Sequence, residues 1–140
     1  MEDTVLLVDD DRTLLESLQR LLHKQPYRIL TAENADDAIE LLQAESVDLI
    51  VCDECLPGLP GTVFLAWAAE HHPQVVRIML TGQPSADSAI RAINQSKAFR
   101  FMVKPCDGHS LATAIKEGLA HAKVFAECHA KAATGKPAIN

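Results

Sequence analysis

The chain has 140 residues, 48% of them hydrophobic, and a formal net charge of −6. That hydrophobic share excludes a disordered chain, and the length suits one domain around one sizeable core. The 13 basic residues are scattered among 19 acidic ones, which argues against direct nucleic-acid binding, since phosphate contacts need clustered Lys and Arg. No apolar run approaches the roughly 18 residues of a membrane span, and the acidic start MEDTVLLVDD lacks the basic segment of a secretion signal. A cytoplasmic protein with no membrane partner is expected.

Along the chain, apolar runs alternate with helical spacing. Residues 4–8 form a short buried run, and Leu14, Leu15, Leu18, Leu21 and Leu22 then recur at helical intervals before Pro26. Residues 27–31 are a second, mixed run. Asn34 is placed to cap a helix whose Ala35, Ala38, Ile39 and Leu42 face inward. Residues 47–52 are the third run, and Phe64, Leu65 and Ala68 mark the inner face of a helix ending before Pro73. Residues 75–80 are the fourth run, followed by a helix marked by Ala86, Ala89, Ile90 and Ile93. Residues 99–103 are the fifth, and Leu111, Ala114, Ile115, Gly118, Leu119 and Ala122 mark the last helix. Five strand-helix units predict an α/β fold, a doubly wound five-stranded parallel sheet with five helices on its two faces. The first, third, fourth and fifth runs are apolar enough to be buried on both sides; the second belongs at an edge. Residues 1–125 form the expected domain, and 126–140, Ala-rich and then meeting Gly135 and Pro137, a helix end or linker.

In a parallel sheet the residues just after each strand gather along one edge, where open α/β sheets bind ligands. That edge receives Asp9 and Asp10 after the first strand, Asp53 at the tip of the third, Thr81 after the fourth and Lys104 after the fifth. One Asp there is commonly only a helix cap, the role expected of Asp11. Three acids with a hydroxyl and an ammonium are harder to explain that way. Two carboxylates about 4 Å apart repel by roughly 4 kcal/mol at an effective dielectric near 20. Lys104 offsets one charge, and a divalent cation would offset the rest. An all-oxygen donor set favours Mg²⁺. A carboxylate is also a nucleophile able to form an aspartyl phosphate, so Asp53 is the candidate phosphoryl acceptor. Lys104 and the metal would bind the phosphoryl oxygens, Thr81 would hydrogen-bond the product, and Gly82 leaves room for its approach.

The stretches "LLVDDD", "DECLPGLPG", "MLTG" and "FRFMVKP", in this order from Val5 to about Val124, resemble the receiver domain of two-component response regulators. The resemblance implies a flavodoxin-like sheet in the order 2-1-3-4-5. It implies that Asp53 is the phospho-acceptor, that Asp9 and Asp10 bind Mg²⁺ with Asp10 the more direct ligand, and that the backbone carbonyl of Cys55 is a further ligand. Thr81 matches the switch hydroxyl, Lys104 the family lysine and Phe101 the switch aromatic, and the bond before Pro105 is expected to be cis. The expected partners are a histidine kinase or phosphotransfer protein, an output domain or partner protein, and a second copy through the fourth helix, fifth strand and fifth helix. "AINQSKAFRFMVKPC" is similar to receivers joined to HD-GYP phosphodiesterases or to transcriptional activators. It departs from them at Ser96, where Gly is frequent, and at Cys106, where an aromatic is frequent.

Other readings compete. Cys52, Cys55, Cys106 and His109 spell a zinc-like C-x-x-C and C-x-x-H. With the implied order, strands three and five are not neighbours, so Cys52 and Cys106 start roughly 10 Å apart, which disfavours one shared zinc. A haloacid-dehalogenase-like phosphatase also uses a strand-tip Asp and Mg²⁺, but wants a second Asp where Cys55 stands. A receiver-fold module that binds partners without phosphate is the third alternative. Gln83 flanks the attack path, where it either orients a hydrolytic water or is a solvated loop residue.

Overall fold

The five apolar runs become five strands, Asp3–Val8 (β1), Tyr27–Ala32 (β2), Leu49–Asp53 (β3), Val76–Thr81 (β4) and Arg100–Val103 (β5). They form one parallel sheet in the order β2-β1-β3-β4-β5. The computed structural model describes residues 2–82, 90, 94, 98–104 and 107–134, with residues 125–134 described by backbone alone. The helices are Arg12–Leu22 (α1), Ala35–Ala44 (α2), Gly61–His71 (α3) and a C-terminal helix, Gly108–Thr134. The fourth predicted helix falls on a stretch of which only Ile90 and Asn94 are described; both are helical, and Ile90 is exposed. Among the described residues no helix is long and apolar enough to cross a membrane.

Side-chain alternation along each strand sorts the apolar residues into two layers. Leu6, Val8, Ile50, Cys52 and Met79 pack on one face against α2 and α3, centred on the fully buried Phe64 and Leu65. Val5, Leu7, Leu49, Val51, Ile78 and Leu80 pack on the other against α1 and the C-terminal helix, through Leu15, Leu18, Leu111 and Ile115. One expectation needs correction. β5 is not buried on both sides: with this strand order it is the second edge, Arg100, Phe101 and Met102 are half-buried, and Val103 is exposed. Leu21 shares the helical spacing of α1 but is 55% exposed, because five leucines make a stripe wider than the sheet can cover.

Helix entry is set locally. Asp11 accepts a hydrogen bond from the Leu14 N–H at 3.2 Å, and Asn34 accepts one from the Asp37 N–H at 2.8 Å. Each satisfies a donor that the first helical turn leaves unpaired. Asp36 and Asp37 add negative charge where the α2 dipole favours it. Asn34→Ala is therefore expected to lower stability by about 1 kcal/mol, read as a lower urea midpoint with an unchanged slope.

Candidate functional site

Because all five strands run the same way, β1, β3, β4 and β5 end together. Asp9 follows β1 and is buried; Asp53 is the last residue of β3 and is also buried; Asp10 is exposed. The register Val8↔Cys52 and Asp53↔Leu80 sets these ends side by side. One carboxylate oxygen from each of Asp9, Asp10 and Asp53 lies within 4.8 Å of the others. Lys104, just after β5, places its Nζ 2.8 Å from Asp9 Oδ2 and 3.0 Å from Asp53 Oδ1. Its backbone N–H donates to the Thr81 carbonyl at 2.6 Å, so the lysine leaves from a point fixed by β4.

The charges at this edge are strained. Burial pushes the Asp53 carboxyl above its ordinary pKa; the Lys104 hydrogen bond opposes this, the Asp9 charge adds to it, and the Cys55 backbone N–H opposes it. For the Lys104 ammonium, burial acts downward, but its hydrogen bonds and proximity to Asp9 and Asp53 outweigh that and hold its pKa up. One ammonium faces three carboxylates, so the site has room electrostatically for a cation. All the candidate donors are oxygens, the set that suits Mg²⁺. Asp9 already accepts from Lys104 on Oδ2 and from the Asp11 N–H on Oδ1 at 2.9 Å, which leaves the exposed Asp10 the less committed acid.

Thr81 is buried at the end of β4, and its hydroxyl donates to Glu54 Oε1 at 2.5 Å. Phe101 pairs with Met79 and packs, half-buried, against the α2 and α3 side of the core. Cys55 is exposed. Gly58 turns the loop after β3 with φ at 78°, a conformation that favours glycine. Gly61 then brings α3 against the strand tip: its N–H donates to the Glu54 carbonyl at 2.7 Å. Glu54 and Gly61 were not singled out by sequence. Both act through contacts across the loop, which no local pattern encodes. Of the zinc-like set, Cys52 is buried with its thiol 3.2 Å from the Asp53 carbonyl, while Cys55 and His109 are exposed. Among the described residues, the group that could hold a metal is the three aspartates. Gln83, Pro105 and Cys106 lie outside the described residues.

The family model described as the response regulator receiver domain matches residues 5–116. The chain belongs to this family. Receiver domains of this family are signalling modules of two-component systems. Its acidic pocket is of the kind in which receiver domains bind Mg²⁺. The hydrogenase transcriptional regulatory protein HoxA of Cupriavidus necator is 36% identical over 102 residues, 73% of this chain and 21% of the relative. The DNA-binding transcriptional regulator NtrC of Escherichia coli is 28% identical over 117 residues, 84% of this chain and 25% of the relative. The chain thus spans about a quarter or less of these relatives' length. Among solved structures, the signal receiver domain of an HD domain-containing protein from Pseudomonas fluorescens superposes with a TM-score of 0.86 at 34% identity, covering 89% of this chain and 99% of that one. The beryllofluoride-activated NtrC4 receiver domain dimer superposes at 0.80 with 29% identity, covering 85% and 98%.

Proposed function

We propose that this receiver domain, residues 1–125, takes a phosphoryl group onto Asp53 from a phosphohistidine of a histidine kinase or phosphotransfer protein. The observation that carries the reading is the Lys104 ammonium held between Asp9 and Asp53, with Asp10 alongside. A carboxylate oxygen of Asp53 forms a bond to phosphorus as the phosphorus–nitrogen bond of the donor breaks; that bond's electron pair goes to the ring nitrogen, and the donor imidazole, protonated on its other ring nitrogen, leaves neutral. Lys104 sits where it can bind a phosphoryl oxygen while still anchored to Asp9. Asp10, Asp9, Asp53 and the Cys55 carbonyl would hold Mg²⁺. When bound, the ion supplies positive charge against the oxygens of the transferring group. Among the described residues a Cβ at Gly82 would meet only Lys104 Cδ, at 3.9 Å, so these tolerate a side chain there; the glycine keeps space for the incoming group.

The product adds about −1.5 to −2 charges, if an acyl phosphate behaves as other phosphoryl groups do. The Thr81 hydroxyl turns toward the new oxygens. Phe101 lies on the same face of the sheet, since Met79 and Thr81 alternate with Leu80 and Met79 pairs with Phe101. It moves into the space Thr81 leaves. The face formed by β5, the C-terminal helix and the segment after Thr81 changes in turn, a two-state element biased by a local charge. That face contacts the output domain or partner, and a second copy of the chain; the NtrC4 receiver domain, a structural neighbour, is itself a dimer when activated by beryllofluoride. The HoxA and NtrC relatives favour a transcription-regulating output and a cytoplasmic site of action. A phosphatase of the dehalogenase type is disfavoured, because Cys55 stands where its acid-base Asp is needed and the Glu54 carboxylate is occupied by Thr81.

Incubation with acetyl phosphate and Mg²⁺ should add the mass of one phosphoryl group to the intact protein. Unchanged mass under those conditions would leave only a phosphate-independent binding module. Asp10→Ala should weaken Mg²⁺ at least about 10-fold, the scale on which changes beside a metal act, as read by calorimetric titration. Equal affinity in the two proteins would remove Asp10 from the metal site.

A further inference from the structure

We propose that Glu54 is a positioning residue that holds the Thr81 hydroxyl in the resting domain, so that a phosphoryl group on Asp53 can engage Thr81 only by displacing it. The inference rests on the reading of Asp53 as acceptor. It deepens that reading by naming what the switch must break.

The backbone fixes Glu54 on both sides. Its N–H donates to the Leu80 carbonyl at 3.1 Å, and its carbonyl accepts from the Gly61 N–H at 2.7 Å. The pairing Asp53↔Leu80 therefore carries one residue further and sets Glu54 beside Thr81. The side chain follows, with Glu54 Oε1 at 2.5 Å from Thr81 Oγ1. An ionised carboxylate only accepts hydrogen bonds, and a hydroxyl has one proton to give. At this distance the Thr81 proton is committed to Glu54. A phosphoryl oxygen on Asp53 is likewise only an acceptor, so the two anions compete for one donor. A hydroxyl-to-carboxylate bond is among the stronger neutral-donor bonds, roughly twice a neutral pair. Lys104 can bind a phosphoryl oxygen itself, but its resting partners are Asp9 and Asp53, so it does not free the Thr81 proton from Glu54. The resting hydrogen bond thus raises the threshold for activation and speeds return to rest once the phosphoryl group is lost.

The test uses beryllofluoride with Mg²⁺ as the phosphoryl mimic and measures its affinity by titration on the intact chain. Glu54→Ala should bind it about 10-fold more tightly than wild type, the lower end of what a hydrogen bond to a charged group is worth. Two further variants separate the hydrogen bond from bulk charge. Glu54→Asp keeps the charge but shortens the reach, and should behave like Glu54→Ala. Glu54→Gln keeps the reach and an acceptor oxygen, and should gain less. In a Thr81→Ala background, Glu54→Ala should bring no further gain. If instead Glu54→Asp matches wild type and Glu54→Gln matches Glu54→Ala, Glu54 acts by charge alone and the proposal fails. If wild type binds the mimic and all Glu54 variants equal it, the proposal fails while the Asp53 reading stands. If wild type binds none, the Asp53 reading itself has failed, and the latch falls with it.

Discussion

Asp53→Asn should accept no phosphoryl group from acetyl phosphate in the presence of Mg²⁺, while wild type acquires one. The amide matches the carboxylate in shape, so the strand tip and its neighbours keep their places; what it lacks is the charged oxygen that attacks phosphorus. The same change should raise the melting temperature in metal-free buffer at neutral pH. Burial and Asp9 push the Asp53 carboxyl up against the opposing pull of Lys104 and the Cys55 N–H, so the folded state holds the Asp53 proton more tightly than the unfolded chain does. The stability linked to that proton is complete below the ordinary value of 3.8 and is lost as pH rises through the raised value in the folded state. At neutral pH the wild type carries this cost and the amide does not. The melting difference should therefore shrink as the solution is acidified toward the ordinary carboxylate range. Mg²⁺ should also shrink it, by stabilising the wild type more than Asp53→Asn. A phosphorylated Asp53→Asn protein would move the acceptor elsewhere. A mutant that melts below wild type without metal would contradict the electrostatic account of the strand tip.

The features read most easily from sequence are those that a parallel sheet enforces by itself. Asp9, Asp53, Thr81 and Lys104 could be gathered from positions far apart in the chain because each directly ends or follows a strand, and parallel strands end on one side. Asp11 and Asn34 were legible as caps because a cap acts within three residues. What eluded the sequence depends on neighbours that only register supplies. Apolar content could not separate the half-buried edge strand β5 from the central β4, since Phe101 and Met102 look like core residues until the strand order leaves one side open. Glu54 carries no local signal in the sequence. Its partner Thr81 is 27 positions away, and the contact exists only because β3 and β4 pair with Asp53 opposite Leu80. A single-residue slip in that pairing would turn Thr81 to the opposite face. The two-cysteine motif is disfavoured as a zinc site already by the strand order the resemblance implies, and Cys52 is buried within β3 while Cys55 is exposed after it.

Gly61→Ala should be the most damaging of the small glycine substitutions. A Cβ at Gly61 would stand 2.0 Å from the Asp53 carbonyl oxygen, 3.0 Å from its carbon and 3.1 Å from the Glu54 carbonyl carbon. These are backbone atoms of the strand tip and the residue after it, so no side-chain rotation relieves the overlap. The comparison with two other glycines fixes the ranking. A Cβ at Gly118 would meet Leu49 Cδ1 at 2.6 Å, but that is the end of a side chain that can turn; at Gly82 the nearest atom, Lys104 Cδ, is at ordinary contact distance, 3.9 Å. Alanine is the better helix former by about 1 kcal/mol in a helix interior, and Gly61 opens α3, so propensity favours the substitution. Overlap opposes it by about 3 kcal/mol, the upper part of the usual overpacking range, and wins. The urea midpoint should fall accordingly. The consequence should reach the chemistry as well. Relief requires α3 to retreat or the Asp53 carbonyl to move, and either one disturbs the carboxylate that Lys104 holds at 3.0 Å. Gly61→Ala that remains folded should therefore take up phosphoryl groups more slowly than wild type, whereas Gly82→Ala should keep wild-type stability and lose only uptake. Equal stability of wild type and Gly61→Ala would mean that the close approach of α3 to the strand tip is not needed to set Asp53 in place.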